Sequence, residues 1–521
     1  MPHSDVTGVP VRADAPATGA LLTRVFGFSA AILFVLMACF SLATPQGASP
    51  DEPAHAMRAY AAAHGQLDGP ASRSAAGTID LTVPDYFAHL EQRLACYKRV
   101  ITETPACVAP LPGTDPLVTG HSSATVNTPV FYVLTGWPSL FLHDAKALYG
   151  MRLASALLCA LLLGVAFAAL RALPRWRWTT AAVAVGVTPM VLFLSGTLNP
   201  NGLEVAATVS SFALLTLLFS RPPSRFTPLL VTGIVVIATL LIFTRSVAIL
   251  WLLLALAAAL LLARPAVLRA VVRRWWIVAA AVLVALIAGG AALYYLRPRA
   301  LTPAYQPVGA GSSWAEGFST TIDQTFSYLI GWIGQFGWTE APAPALTVAV
   351  VATVGGGLLL VASSVARLRT GLALGLIGLA LILVPPFSQA AVVHDAGYIW
   401  QGRYTLALAV VLLLVAGRSL DEVLPDLPWS ALGRRVLWAA LGIVAIGQVA
   451  AFLWALRRYV TSLSWSTTWL DMFRHPQWQP PGGWLPVTLI FTVVVLGAYA
   501  LVARQVTRPS AVVTPAAADR G

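Results

Sequence analysis

Residues 21–55 read LLTRVFGFSAAILFVLMACFSLATPQGASPDEPAH, and this stretch decides the fold. From Leu21 to Leu42 runs an apolar segment of about 20 residues, the length a helix needs to cross a bilayer. Turn-forming residues follow, and then two adjacent carboxylates, Asp51 and Glu52, with His55 one helical turn further on. Acids so close behind a membrane segment are held at the membrane edge by the helix that precedes them.

The rest of the chain has the same character. Of 521 residues, 58% are hydrophobic and 10% charged, whereas roughly 25% of a soluble domain is charged. Further apolar runs lie near 149–170, 179–196, 203–220, 227–243, 247–263, 276–296, 345–362, 371–386, 404–417, 436–456 and 485–503. Together they predict an all-α polytopic transmembrane bundle of about 12 spans. The net charge of +12 is carried by arginines, since Lys98 and Lys146 are the only lysines. Those arginines crowd the short connections, where basic residues set topology, so nucleic acid is not an expected partner. With the N-terminus in the cytoplasm, the inner side collects Arg171, Arg175 and Arg177, then Arg264, Arg269, Arg273 and Arg274, then Arg367, Arg369 and Arg418. Asp51 and Glu52 then face outward. The expected organisation is a disordered cytoplasmic tail over 1–20, a membrane domain over 21–503, and a second cytoplasmic tail over 504–521.

On this arrangement the outer connections are long: 46–148, 297–344, 387–403 and 457–484. A loop as long as 46–148 needs structure of its own. Helix-like stretches stand at 53–64 and 85–100, and a semi-apolar run from Pro129 to Leu142 suits the interface. Cys96 and Cys107 fall in this loop and predict a disulfide outside the cytoplasm. Function is expected on the outer face, because the inner connections are too short to build a site.

Four groups of residues could carry chemistry there. In the first, Pro53 fits the first turn of a helix with Asp51 and Glu52 at its entry, and His55 and Arg58 follow on it. Helix capping would account for one acid, with Ser49 and Glu52 fitting a capping box. Two acids and a histidine exceed that need. A carboxylate here suits a general base that deprotonates an acceptor hydroxyl, or a divalent cation, Mg or Mn, held through oxygen. The second group is Asn199-Pro200-Asn201-Gly202-Leu203-Glu204. It reads as a tight turn, but Glu204 falls inside the next span, where an acid needs a partner or a function. The third is Trp400-Gln401-Gly402-Arg403-Tyr404, together with Arg245 in another outer turn. These arginines suit a phosphate group, or an ordinary interfacial belt. The fourth, Gly331 to Glu340, alternates tryptophan and glycine; interfacial anchoring explains it, and so would stacking on a sugar ring. Walker, dinucleotide-binding, Gly-x-Ser-x-Gly and His-Glu-x-x-His motifs do not occur.

Pro50-Asp51-Glu52-Pro53-Ala54-His55, Asn199-Pro200-Asn201-Gly202-Leu203-Glu204, Gly334-Gln335-Phe336-Gly337-Trp338 and Gln401-Gly402-Arg403-Tyr404, in that order, resemble a bacterial family of polytopic membrane proteins, domain-of-unknown-function family 2142. The likeness runs from about residue 25 to 500. That family looks like the GT-C glycosyltransferases, which place an acid just after the first helix and use polyprenyl-phosphate sugars as donors. The resemblance implies an enzyme of the bacterial inner membrane that moves a sugar from a polyprenyl-phosphate donor to a cell-envelope glycan, lipid or protein. Asp51 would be its base, with Glu52 second or a metal or sugar ligand, and His55 orienting them or contacting phosphate. Arg58, Asn199, Asn201, Glu204, Arg245, Gln401, Arg403 and Tyr404 would bind substrate, the arginines neutralising the departing phosphate. Two other readings stay open: a transporter or flippase of a lipid-linked saccharide, with Glu204 and the arginines along its path, and a non-catalytic membrane scaffold.

Overall fold

The computed structural model describes residues 18–75, 77–109, 115–297, 307–425 and 430–508. The expected tails fall largely outside these residues. Helix α1 (Gly19–Ala43) leads into α2 (Glu52–Ala63), strands β1 (Ile79–Pro84) and β2 (Leu117–Ser122), and α3 (Val130–Gly136). Then come α4 (Asp144–Arg171), α5 (Arg177–Gly186), α6 (Pro189–Gly196), α7 (Pro200–Ser220), α8 (Thr227–Ile242), α9 (Ala248–Leu261), α10 (Pro265–Val272) and α11 (Trp275–Tyr295). Strands β3 (Gln335–Phe336) and β4 (Ala341–Pro342) precede α12 (Ala345–Val365), α13 (Leu368–Ala390), α14 (Leu406–Val423), α15 (Ala431–Val460) and α16 (Trp484–Thr507), with shorter helical segments between. The last helix runs past the expected boundary at 503.

All twelve apolar segments are helical, as the sequence predicts, though they differ in length and polarity. Among the described residues, eight helices are long and apolar enough to cross: α1, α4, α7, α11, α12, α13, α15 and α16. A ninth span is broken, since α5 and α6 are bent by 63°. The break has a local cause. Pro189 lacks the N–H that a continuous helix would use and pushes Thr188 into an extended conformation, with ψ 166. Thr188 then caps the new helix by accepting from Val191 N at 3.4 Å. Helices α8 and α9 have only 16 and 14 residues. In α14 the charges of Arg418, Asp421 and Glu422 fill the last turns.

Polarity decides which helix is central. Helix α7 carries Asn201, Glu204, Thr208, Ser210, Ser211 and Thr216, which lipid cannot satisfy, and nearly all of its length is buried inside the protein. Helix α11 has no polar side chain between Trp276 and Tyr294, and only Ile277 and Ala291 of it are buried. The first is enclosed by the bundle and the second faces lipid.

The long connections pack on one another at one end of the bundle. Arg458, at the end of α15, donates to the carbonyls of Glu103 (2.5 Å), Tyr97 (2.8 Å) and Val100 (3.0 Å). Trp338 Nε1 donates to Gly47 O at 3.1 Å. Cys96 and Cys107 are joined in a disulfide, as the sequence predicts, while Cys39 and Cys159 are buried in α1 and α4. The first long connection departs from an all-helical reading in one place: β1 and β2 pair antiparallel from Ile79↔Ser122 to Pro84↔Leu117. Ile79, Leu81 and Val83 alternate with Asp80 and Thr82, the period of a half-buried strand. The predicted helix over 85–100 is confined to two short segments, Asp85–Ala88 and Leu90–Arg93. The short connections gather at the other end, where Arg175 Nη1 donates to Glu422 O and Arg369 Nη1 to Ala263 O, both at 3.0 Å.

Candidate functional site

Asp51 stands at the entry of α2 with φ 61 and ψ 4, a left-handed conformation that aspartate tolerates better than most side chains. It makes no side-chain capping bond to its own helix, and the capping box expected from Ser49 and Glu52 does not form. Ser49 Oγ donates instead to Thr197 Oγ1 at 3.0 Å. The turn therefore throws the two acids in opposite directions.

Glu52 goes inward. Its side chain is 0% exposed and forms a two-pronged ion pair with Arg152 of α4, Nη2 to Oε2 at 2.5 Å and Nε to Oε1 at 2.7 Å. Gly47 N and Leu198 N each donate to it at 3.0 Å. Arg152 uses its remaining N–H groups on the carbonyls of Ser41, Thr44 and Pro45. This knot ties the end of α1, the start of α2, α4 and the turn before α7 together. It corrects the expectation of Glu52 as second base or metal ligand, because no oxygen is left to meet a substrate or a cation.

Asp51 goes outward. Its side chain is 50% exposed, and Oδ2 accepts from Arg403 Nη2 at 2.9 Å. Arg403 is 3% exposed, and Gln401 Oε1 accepts from its Nη1. Residues 402–405 form a short helical turn that is pressed against Tyr328–Ile333. A Cβ at Gly402 would lie 2.3 Å from Tyr328 O, so only glycine permits that approach. Between these elements opens a cleft of about 320 Å³, at the lower end of the ~300–1,000 Å³ of small-molecule sites. Asp51 is the one acid among its lining residues; Arg99 and Arg403 are the cations, and Gln324, Gln335, Tyr328, Trp338 and Trp400 supply amides and rings.

Behind the cleft lies a layer of paired charges. Arg245 Nη1 donates to Glu204 Oε2 at 3.0 Å. The Arg245 guanidinium carbon lies 4.7 Å from the centre of the Tyr404 ring, and that of Arg403 lies 5.1 Å from it. The intramembrane Glu204 thus has the partner its location demands. His55 is buried and its Nδ1 pairs with Tyr132 Oη at 2.9 Å. Burial holds the imidazole neutral, lowering its pKa to about 4; Asp51 and Glu52 oppose this, and Arg245 and Arg403 add to it. Burial also pushes the Tyr132 hydroxyl up to about 12.

Of the sequence-predicted residues, Asp51, Gln401 and Arg403 line the cleft, while Glu204, Arg245 and Tyr404 back it. Arg58, Asn199 and Asn201 do not reach it, which corrects their expected role in binding. Arg58 is buried and donates to Leu67 O and Asn127 O at 3.2 and 3.4 Å. Asn199 caps α7 by accepting from Asn201 N at 3.0 Å, and its Nδ2 donates to Pro50 O at 3.0 Å. Sequence reasoning did not select Arg99, Gln324, Gln335, Trp338 or Trp400 as site residues. The Gly334–Trp338 motif and the aromatic start of Trp400–Tyr404 carried a signal for three of them; Arg99 and Gln324 carried none. The pair Asp51 and Glu52 does not fit a shared Mg or Mn ion. Among the described residues no three His, Cys, Asp or Glu side chains group to hold a metal, and Asp51 faces a guanidinium.

The family model "Predicted membrane protein (DUF2142)" matches residues 34–412. Among solved structures, the chain is similar to that of ArnT from Cupriavidus metallidurans bound to undecaprenyl phosphate, with a TM-score of 0.43 and 15% identity over 94% of this chain and 78% of that one. No curated protein matches the chain.

Proposed function

This chain belongs to the predicted membrane protein family DUF2142, and from that premise and the cleft at Asp51 we propose that it is an integral membrane glycosyltransferase. Its donor is a polyprenyl-phosphate sugar, and its acceptor is a hydroxyl of a cell-envelope glycan, lipid or protein. The N-terminus lies in the cytoplasm of a bacterial cell, and the cleft opens on the far side of the inner membrane. The observation that carries the reading is the half-exposed carboxylate of Asp51, set on a cleft that otherwise offers two guanidinium groups.

Each group has a role in such a transfer. Asp51 Oδ1, which has no hydrogen-bond partner among the described residues, takes the proton of the acceptor hydroxyl. The acceptor oxygen then bonds to the anomeric carbon as the bond from that carbon to the phosphate oxygen breaks. The electron pair leaves with the polyprenyl phosphate, whose charge Arg403 and Arg99 offset. The Tyr404 ring and Gln401 hold Arg403 in place, and Trp400 gives the sugar a flat apolar surface.

The test is a radiolabel transfer assay in membranes holding the full chain, with polyprenyl-phosphate mannose, arabinose, glucose and galactose offered in turn. Label should pass from lipid to a polar acceptor, and Asp51→Asn should lower the rate at least about 100-fold, the lower range for a general base. A well-inserted Asp51→Asn protein with full activity would refute the assignment. The bend between α5 and α6 favours a second reading, because broken helices mark transporters. Transporters use such breaks in matched pairs, and this is the only bent pair among the described residues. Label that crosses the bilayer while still attached to its lipid would establish the flippase instead.

A further inference from the structure

At the end of the bundle opposite Asp51, a second cavity of about 420 Å³ opens between the short connections. Arg175, Arg264, Arg367, Arg369 and Arg418 line it, against one acid, Glu422. The guanidinium groups come from four separate stretches of chain. Topology asks only that arginines lie in these connections; it does not ask them to converge on one cavity. Glu422 is itself engaged, accepting from Thr370 Oγ1 at 3.2 Å and from Arg418 Nη2 at 3.5 Å. Arg418 is 7% exposed and its Nε has no hydrogen-bond partner among the described residues. Arg418 also faces the buried Asp421 Oδ2 at 3.9 Å, so two carboxylates stand against five guanidinium groups and the cavity keeps an excess of positive charge.

A third cavity, of about 430 Å³, is lined only by apolar side chains of α7, α8, α9, α10 and α11. The two are neighbours along the chain. Phe219 and Leu260 line the apolar cavity, and the next residues, Ser220 and Leu261, line the basic one. A positive chamber beside a hydrocarbon-lined one matches an amphiphile with an anionic head. We propose that this corner binds an anionic phospholipid, its phosphate among the arginines and an acyl chain between α8, α9 and α11. The site stands apart from the Asp51 cleft and does not rest on the function proposed for it.

The test is native mass spectrometry of the full chain released from detergent, with dioleoyl phosphatidylglycerol and dioleoyl phosphatidylcholine as probes. Phosphatidylglycerol should stay bound at collision energies that strip phosphatidylcholine. The triple variant Arg264→Gln, Arg367→Gln, Arg369→Gln should lower its occupancy at least about tenfold. The triple variant Arg269→Gln, Arg273→Gln, Arg274→Gln removes the same charge at the same end, outside the cavity, and should change occupancy less than about threefold. Ala285→Phe, which fills the apolar cavity with the charges intact, should also lower it. Equal losses in both triple variants would reduce the arginines to an interfacial belt and overturn the proposal. Displacement of the lipid by inorganic phosphate alone, or full retention by a folded Ala285→Phe protein, would overturn the acyl-chain half.

Discussion

At Glu52, substitution by glutamine keeps the shape and removes the charge, which leaves the Arg152 guanidinium buried and unpaired. Breaking a buried pair in this way costs about 3–5 kcal/mol. Glu52→Gln should therefore show as loss of folded protein and a lowered Tm in detergent, whatever the state of the cleft. Asp51→Asn, at a half-exposed side chain whose amide oxygen can still accept from Arg403, should lower the Tm less. The reverse pattern would exchange the roles of the two acids. His55 makes a separate claim about pH. In the unfolded chain it takes up a proton near 6.5, whereas the folded protein refuses one until about 4. Between these values the unfolded state binds more protons, so stability rises with pH through that window and is full above it. The whole effect is on the order of 3 kcal/mol. Thermal melts at about pH 7.5 and about pH 5 should show a larger drop for the natural protein than for His55→Gln. Equal drops would mean that His55 is not held neutral by burial.

Between elements, the closest approaches run through small residues, and they fix where the acids go. A Cβ on Gly196, at the end of α6, would lie 2.2 Å from the carbonyl oxygen of Met37 in α1. That contact presents Leu198 N to Glu52. Gly196→Ala should cost about 1–3 kcal/mol through overpacking and should loosen the knot around Glu52, read as a lower Tm and faster proteolysis of the 46–148 connection. A Tm equal to that of the natural protein would show that α1 and α6 can separate without cost. Here the limits of the sequence become physical. Hydropathy located every long helix, because lipid imposes one length and one polarity on all of them. It missed the break at Val187–Thr188, since apolar character continues straight through Pro189. It also missed β1, six residues long, whose alternation lies inside a loop read for helices. The motifs at 50–55, 199–204 and 401–404 were visible one at a time. Their convergence was not, because Asp51 and Arg403 are joined across 352 positions of chain. Nor could neighbouring acids be told apart before the left-handed turn at Asp51 sent one inward and one outward.

For the whole molecule, charge and loop length make the same division. One end gathers the long connections, the disulfide and the Asp51 cleft; the other gathers short connections and converging arginines. A cytoplasmic N-terminus follows if the arginine-rich end faces the cytoplasm, because basic residues near span ends resist translocation. The chain suits a direct test. Cys39 and Cys159 are buried and Cys96 is bonded to Cys107, so the natural protein should react little with a membrane-impermeant maleimide. Arg73→Cys, exposed in the first long connection, should be labelled in intact cells from which any outer membrane has been stripped. Arg225→Cys, exposed between α7 and α8, should be labelled only after the inner membrane is opened. Reversed labelling would turn the Asp51 cleft toward the cytoplasm. There nucleotide-linked sugars would be within reach, and the case for a polyprenyl-phosphate donor would lose its premise. Labelling as expected would leave lipid-linked sugars as the activated donors on that side, since free nucleotides do not cross the bilayer.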